Sequence, residues 1–74
     1  MDEQQVTEEM IDILEDNGDI KLLNDETNIS IQSVDDKEGY SYISNDHTKF
    51  ESSREAVEWA IEQFDGVEYI EEWE

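Results

Sequence analysis

Cysteine and proline are absent from this chain of 74 residues, and glycine occurs only three times. Without cysteine, no disulfide can stabilise the fold and no thiol can act as a nucleophile. With a single histidine as well, a structural zinc site is close to excluded, because such sites are built from Cys and His ligands. Three glycines leave no room for a Gly-rich phosphate-binding loop.

Long apolar runs are also missing. No run approaches the roughly 20 residues that a membrane-spanning helix requires. The chain begins Met-Asp-Glu, which has the wrong sign of charge for a signal peptide. An anionic membrane surface would repel so acidic a chain. We therefore expect no membrane contact and a cytoplasmic location.

Basic residues are scarce: the chain has 4 of them against 23 acidic residues, giving a net charge of -19. The acidic residues are not confined to a tail. They run from Asp2 to Glu74 and alternate with apolar residues at regular spacing, which a disordered acidic segment would lack. The sequence therefore predicts one folded domain, residues 1–74, with an acidic surface.

Two helices are predicted from the periodicity of apolar residues. The first runs from about Glu3 to Asp16, with a cap at Asp2 and a left-handed stop at Asn17-Gly18. Its apolar face recurs at helical spacing and comprises Val6, Met10, Ile13 and Leu14. The second runs from about Ser53 to Asp65, opens with a capping box of Ser52 and Glu55, and ends at Gly66. Its buried stripe comprises Ala56, Val57, Ala60, Ile61 and Phe64.

Three short strands are predicted between the helices, at Asp19 to Leu23, Asn28 to Val34 and Tyr40 to Asn45. The connections between them are rich in Asn, Asp and Gly, which are turn-forming residues. A further short strand at Thr48 to Glu51 stays open, and the tail Val67 to Glu74 fits either a helix or a strand. The predicted fold class is α+β: helix, three-stranded antiparallel meander, helix and a short C-terminal element.

No catalytic or metal-binding constellation is found. His47 is the only histidine, and we expect it to be an exposed loop residue. Carboxylate pairs are too abundant to indicate acid–base catalysis. An EF-hand loop fails at both candidate glycines, since placing Gly18 or Gly39 at its sixth position puts Ile13 or Val34 where an Asp is required. We predict neither an enzyme nor a cofactor or metal site.

The arrangement of the acidic residues is the positive signal. The outer side of the second helix is predicted to carry Glu51, Glu55, Glu58, Glu62 and Asp65. The first helix is predicted to carry Glu8, Asp12 and Glu15, and the tail adds Glu68, Glu71 and Glu72. Ordinary surfaces mix both signs of charge, whereas these helices have only Arg54 as a base. These acidic residues are the predicted binding surface for a positively charged partner.

The two tryptophans have two interpretations. Trp59 falls away from the buried stripe of the second helix, and Trp73 lies among Glu71, Glu72 and Glu74. Both could fold back onto a thin core, because tryptophan is usually largely buried. Alternatively, they are aromatic anchors for a partner or for a second copy of the chain in a homodimer.

The size of the charge points to mimicry of nucleic acid. A chain of this length is about 30 Å across, and duplex DNA carries about 18 charges over that length, close to the net charge of -19. The order of elements, with Tyr40 to Ser44 as the third strand and Val57 to Phe64 in the following helix, is similar to that of a type II-A anti-CRISPR inhibitor. In its small size and acidic profile the chain resembles phage-encoded acidic DNA mimics. That group includes inhibitors of the nucleoid protein HU, of restriction enzymes and of CRISPR nucleases (anti-CRISPR proteins).

The resemblance implies an inhibitor that occupies the DNA-binding surface of a basic host protein in the bacterial cytoplasm and does not itself bind nucleic acid. Two alternatives remain. One is an immunity or antitoxin protein that blocks a single cognate nuclease. The other is a generic acidic domain adapted to high salt; two Ala, eight Ile and more Glu than Asp make the composition less typical of that class.

Overall fold

The computed structural model describes residues 3–74, so the predicted cap at Asp2 lies outside the described residues. The elements follow the chain as α1 (Glu3–Asn17), β1 (Asp19–Leu23), β2 (Asn28–Ser33), β3 (Tyr42–Ser44), β4 (Lys49–Phe50), α2 (Ser53–Gln63), a 3-10 helix (Val67–Tyr69) and β5 (Glu72–Trp73). This order confirms the α+β class and the succession of helix, strands and helix.

The sheet has five antiparallel strands in the order β4-β3-β2-β1-β5, rather than the three predicted. The strand left open at Thr48 to Glu51 exists as β4. The tail contains both alternatives in succession, a 3-10 helix and then β5, which pairs Trp73 with Leu22 and Glu72 with Leu23. The third strand is shorter than predicted, and Tyr40 lies outside it.

One face of the sheet is apolar and packs against both helices. Ile20 pairs with Ile31 and Leu22 with Ile29 across β1 and β2, and all four side chains are buried. Side chains alternate between faces along a strand, so the intervening residues of β1 and β2 face away from the helices. The resulting fold is a helix layer on one side of a sheet whose other face is open.

α1 follows the predicted helix, with one difference in its buried face. Val6, Met10 and Leu14 are buried as predicted, but Ile13 is only partly buried. Ile11 and Thr7 are buried instead. The helix ends where predicted: Gly18 has a φ of 81°, a left-handed conformation that glycine adopts readily, and its N–H donates to the Leu14 carbonyl at 2.9 Å.

α2 begins as predicted and ends earlier. Ser52 is the N-cap, and its Oγ accepts a hydrogen bond from the Glu55 backbone N–H at 3.2 Å. Across residues 3–74 no hydrogen bond returns from the Ser52 N–H to the Glu55 carboxylate, so the capping box is only half formed. The helix stops at Gln63 rather than Asp65, because Asp65 turns into a left-handed conformation with a φ of 68°.

Candidate partner-binding surface

Acidic side chains cover the outside of the two helices. All but one of the acidic residues in the range 3–74 are exposed, the exception being Asp36. α1 and α2 together carry nine acidic residues and one basic residue, whereas the five strands carry two of each. We call the acidic residues of the two helices the helix surface; its members are Glu3, Glu8, Glu9, Asp12, Glu15, Asp16, Glu55, Glu58 and Glu62.

The predicted stripe on the second helix is exposed throughout but is only partly helical. Glu55, Glu58 and Glu62 lie on α2, whereas Glu51 precedes the helix and Asp65 follows it. Arg54 offers the one counter-charge on this helix, with 3.8 Å between its Nη1 and an oxygen of Glu58, and both side chains are 59% exposed. An exposed pair of this kind contributes little, so the stripe keeps most of its negative charge.

The predicted acidic residues of α1 are exposed as well. Glu8 and Asp12 point to solvent, and Glu15 accepts a hydrogen bond from the buried Ser53 hydroxyl at 2.6 Å. Glu15 is therefore also a structural residue, since it connects the end of α1 to the start of α2. Sequence reasoning missed the three other exposed acidic residues of α1, which a complete helical wheel would have shown: Glu3, Glu9 and Asp16.

An open groove of about 590 Å³ runs between the two helices. Because Ser53 meets Glu15 while the later turns of α2 meet the start of α1, the helices are antiparallel. The groove is lined by Glu3, Gln4, Thr7, Arg54, Glu58, Ile61 and Glu62. The groove therefore brings Glu3 of α1 near Glu58 and Glu62 of α2, beside the one base of the two helices.

The tail acidic residues form a second group at the β5 edge of the sheet. Glu68 lies in the 3-10 helix, Glu71 follows it, and Glu72 lies on β5. An open cleft of about 360 Å³ joins this tail to the β1–β2 turn and is lined by Asn24, Asp25, Glu26, Glu68, Tyr69 and Glu71. The predicted binding residues do not include the turn residue Asp25, because a contact so distant along the chain leaves no local pattern.

Both tryptophans pack against the hydrophobic core. Trp59 is half-buried and packs on Phe50, with 5.2 Å between ring centroids. Trp73 is half-buried against the core. These positions favour the folding-back alternative for both tryptophans. In the part of the chain that the structure describes, the large apolar side chain that is exposed is Tyr69, at 55%, which sequence reasoning did not single out.

The strands carry two basic residues, Lys21 on β1 and Lys49 on β4. Lys49 Nζ lies 2.7 Å from an oxygen of Asp36 and 5.8 Å from the centre of the Tyr40 ring. The hydrogen bond from Lys49, reinforced by the Glu38 backbone N–H, lowers the pKa of Asp36, and the same pair raises the pKa of Lys49. Hydrogen bonds from the Ser44 hydroxyl and from Thr48 lower the pKa of Asp46. The charge of Asp36 is therefore locally compensated by Lys49, in contrast to the carboxylates of the helix surface.

No arrangement typical of a metal site occurs in the part of the chain that the structure describes, since it has no group of three or more His, Asp or Glu residues placed to hold an ion. His47 is exposed in the β3–β4 connection. Over the same residues, neither helix has the length and apolar content needed to cross a membrane.

Comparisons with protein-family models, with curated proteins and with solved structures find no match for this chain. The case for its function therefore depends on the geometry and charge described above.

Proposed function

We propose that this protein is a DNA-mimic inhibitor that occupies the DNA-binding surface of a basic protein. The observation that carries the proposal is the charge of α1 and α2: nine exposed acidic residues on two antiparallel helices, with Arg54 as the one base on them. Self-repulsion of this kind destabilises a compact protein. The presence of so many mutually repelling carboxylates is best explained if a basic partner binds to them.

The charge density supports the proposal quantitatively. The longest dimension of the fold is 36 Å, and duplex DNA of that length carries about 21 negative charges. The chain carries a net charge of -19. A protein that binds the phosphate backbone through Lys and Arg would therefore meet a similar number of negative charges on this molecule.

The mechanism requires no bond to be made or broken. Carboxylates on α1 and α2 accept hydrogen bonds from the Lys and Arg side chains of the partner, which then cannot engage phosphates. Because the helices are held by the core and by the Ser53–Glu15 hydrogen bond, their carboxylates keep a preset arrangement. Preset groups lose less entropy on binding than loop groups do.

The proposed partner is a basic DNA-binding protein of a bacterial host, and the proposed location is the cytoplasm. The nucleoid protein HU comes first, because a small basic dimer suits a small acidic ligand. A restriction or CRISPR nuclease comes next. In each case the inhibitor would bind the protein and not the nucleic acid.

The test is inhibition of DNA binding by purified HU, a restriction enzyme and a CRISPR nuclease, each measured by the fluorescence anisotropy of a labelled duplex. We expect at least one of these proteins to lose its duplex as inhibitor is added, and its affinity for the inhibitor to fall as salt is raised. The affinity for the inhibitor should fall less steeply with salt than the affinity for DNA does. A folded protein condenses fewer counterions than DNA and so releases fewer of them on binding. Binding that leaves every duplex in place would contradict the proposal.

A further inference from the structure

Tyr69 differs from every other aromatic residue in the described chain. Phe50 and Phe64 are buried, and the remaining tyrosines and tryptophans are half-buried, whereas Tyr69 is 55% exposed. Among residues 3–74 it is the large hydrophobic side chain that the fold leaves in solvent. Tyrosine is among the residues that most often dominate binding energy at protein interfaces. Its exposure therefore identifies a position at which contact with a partner would bury substantial apolar area.

The backbone around Tyr69 is held in place. Its N–H donates to the Gly66 carbonyl at 3.2 Å, and its carbonyl accepts a hydrogen bond from Asn24 Nδ2 at 2.8 Å. The next residue, Ile70, is buried in the core, and the N–H of Glu71 donates to the Leu23 carbonyl at 3.0 Å. Because Tyr69 is tied to Gly66 on its N-terminal side and to β1 and its turn on its C-terminal side, the backbone that carries the ring is already ordered before a partner arrives.

The surroundings of Tyr69 define the chemistry of that partner. Carboxylates from two separate segments line the same cleft: Asp25 and Glu26 from the β1–β2 turn, and Glu68 and Glu71 from the tail. No Lys or Arg of residues 3–74 lines it. An aromatic ring among carboxylates complements a cation with a flat face. A guanidinium group fits, because it stacks on aromatic rings and donates paired hydrogen bonds to carboxylates.

We propose that Tyr69 is the docking point for an arginine side chain of the basic partner, with the guanidinium stacked on the ring and hydrogen-bonded to carboxylates of the Tyr69 cleft. This inference rests on the proposed function in one respect, that the partner is a basic protein. It adds a selective contact to a surface that otherwise recognises charge alone. Duplex DNA offers no exposed tyrosine ring beside carboxylates, so this contact would distinguish the mimic from the duplex.

The test compares a short oligoarginine peptide with an oligolysine peptide of the same length, which carries the same charge without the flat guanidinium. Binding is followed by NMR on the intact chain, through the ring resonances of Tyr69 and the overall affinity. We expect the arginine peptide to shift the Tyr69 ring resonances and to bind about two- to fivefold more tightly, as a cation–π contact at an exposed site predicts.

Three variants make the test specific. Tyr69→Ala should abolish the preference for arginine, and Tyr69→Phe should keep it. Tyr40→Ala removes a tyrosine outside the cleft and should leave it unchanged. Equal affinity for the two peptides, or a preference that survives Tyr69→Ala, would overturn the assignment. So would sedimentation data showing that Tyr69 instead holds two copies of the chain together. The peptide titration includes no DNA-binding protein. Its failure would therefore leave the proposed function standing, and failure of the DNA-displacement test would leave the assignment of Tyr69 standing.

Discussion

The helices and the strands share one core but carry very different charge. α1 and α2 hold nine acidic residues and one basic residue, whereas the five strands hold Asp19 and Glu72 against Lys21 and Lys49. The open face of the sheet therefore meets water with balanced charge and with uncharged side chains such as Gln32. The sheet of this fold is therefore built from strands that carry no excess of acidic residues.

The difference between the two regions also appears in how charge is compensated. On the sheet side, Lys49 pairs with Asp36 at 2.7 Å. On the helix side, the Arg54–Glu58 pair is long at 3.8 Å and exposed. The helix surface is thus a nearly uncompensated array of carboxylates on a rigid support. A ligand for a cationic surface needs such an array, whereas an ordinary solvated helix has no need of one.

The largest expected effect is a difference in stability between variants on the two faces of the sheet. Ile31 is fully buried beneath the helices, whereas Ile43 on β3 is half-buried on the open face. Ile31→Ala should lower the free energy of unfolding by about 2–5 kcal/mol, and Ile43→Ala should cost clearly less. Urea unfolding monitored by circular dichroism measures both. Equal losses would mean that the open face is also covered, for example by a second copy of the chain.

The next largest effect is on partner binding, and it distinguishes the helix surface from acidic residues elsewhere. The combined change Glu55→Gln, Glu58→Gln and Glu62→Gln should weaken partner binding about ten- to hundredfold, since each exposed ion pair is worth up to about 1 kcal/mol. The N-terminal cap should survive, because Ser52 accepts from the backbone N–H of Glu55 and not from its side chain. Isothermal titration calorimetry on the variant, once circular dichroism shows it folded, gives the affinity.

A matched control removes the same amount of charge from the sheet side. The change Asp19→Asn, Asp35→Asn and Glu38→Gln should weaken binding less than the α2 triple variant does. If the two triple variants lose affinity equally, only the total charge matters and the helix surface is not the binding site. If the α2 variant binds normally, the site moves to Glu8, Asp12 and Glu15 or to the tail residues Glu68, Glu71 and Glu72.

A smaller effect concerns thermal stability and salt. The melting temperature should rise between about 0.1 M and 1 M salt, because the Debye length falls from about 10 Å to about 3 Å and self-repulsion is screened. The α2 triple variant should rise less than the wild type, since part of its repulsion has already been removed. A melting temperature that is flat or falls with salt would show that the helix carboxylates are compensated after all.

The smallest effect tests local compensation on the sheet side. The pKa of Asp36 in the folded protein lies below its ordinary value of 3.8, so its ion pair stabilises the fold above that pH, and the stabilisation is lost as the pH falls through the lowered pKa. Asp36→Asn should therefore be slightly less stable than the wild type near neutral pH, and the gap should close in acid. A gap that persists well below pH 3.8 would assign the effect to packing.

Local patterns predicted most of the fold. The apolar spacing of Val6, Met10 and Leu14 and the turn chemistry of Gly18 are properties of neighbouring residues, so α1 could be bounded from the sequence alone. β5 could not, because two residues become a strand only through pairing with Leu22 and Leu23. The half-formed capping box and the early end of α2 depend on side-chain and backbone geometry that a motif does not specify.

The candidate site was predictable in part for the same reason. Exposure of Glu55, Glu58 and Glu62 follows from helical periodicity. The Tyr69 cleft does not, since it forms where the tail meets the β1–β2 turn and Asn24 donates to the Tyr69 carbonyl across 45 positions of sequence. Trp59 was ambiguous because its partner, Phe50, lies on a strand of only two residues.

The most direct test of the central claim is whether the partner can hold this protein and DNA together. Sedimentation velocity, with a fluorescent duplex and a partner saturated with inhibitor, distinguishes the two outcomes. Because the carboxylates of α1 and α2 are proposed to occupy the Lys and Arg side chains that bind phosphate, all labelled DNA should sediment as free duplex. A ternary complex of partner, inhibitor and DNA at full occupancy would contradict mimicry and place the binding surface away from the DNA site.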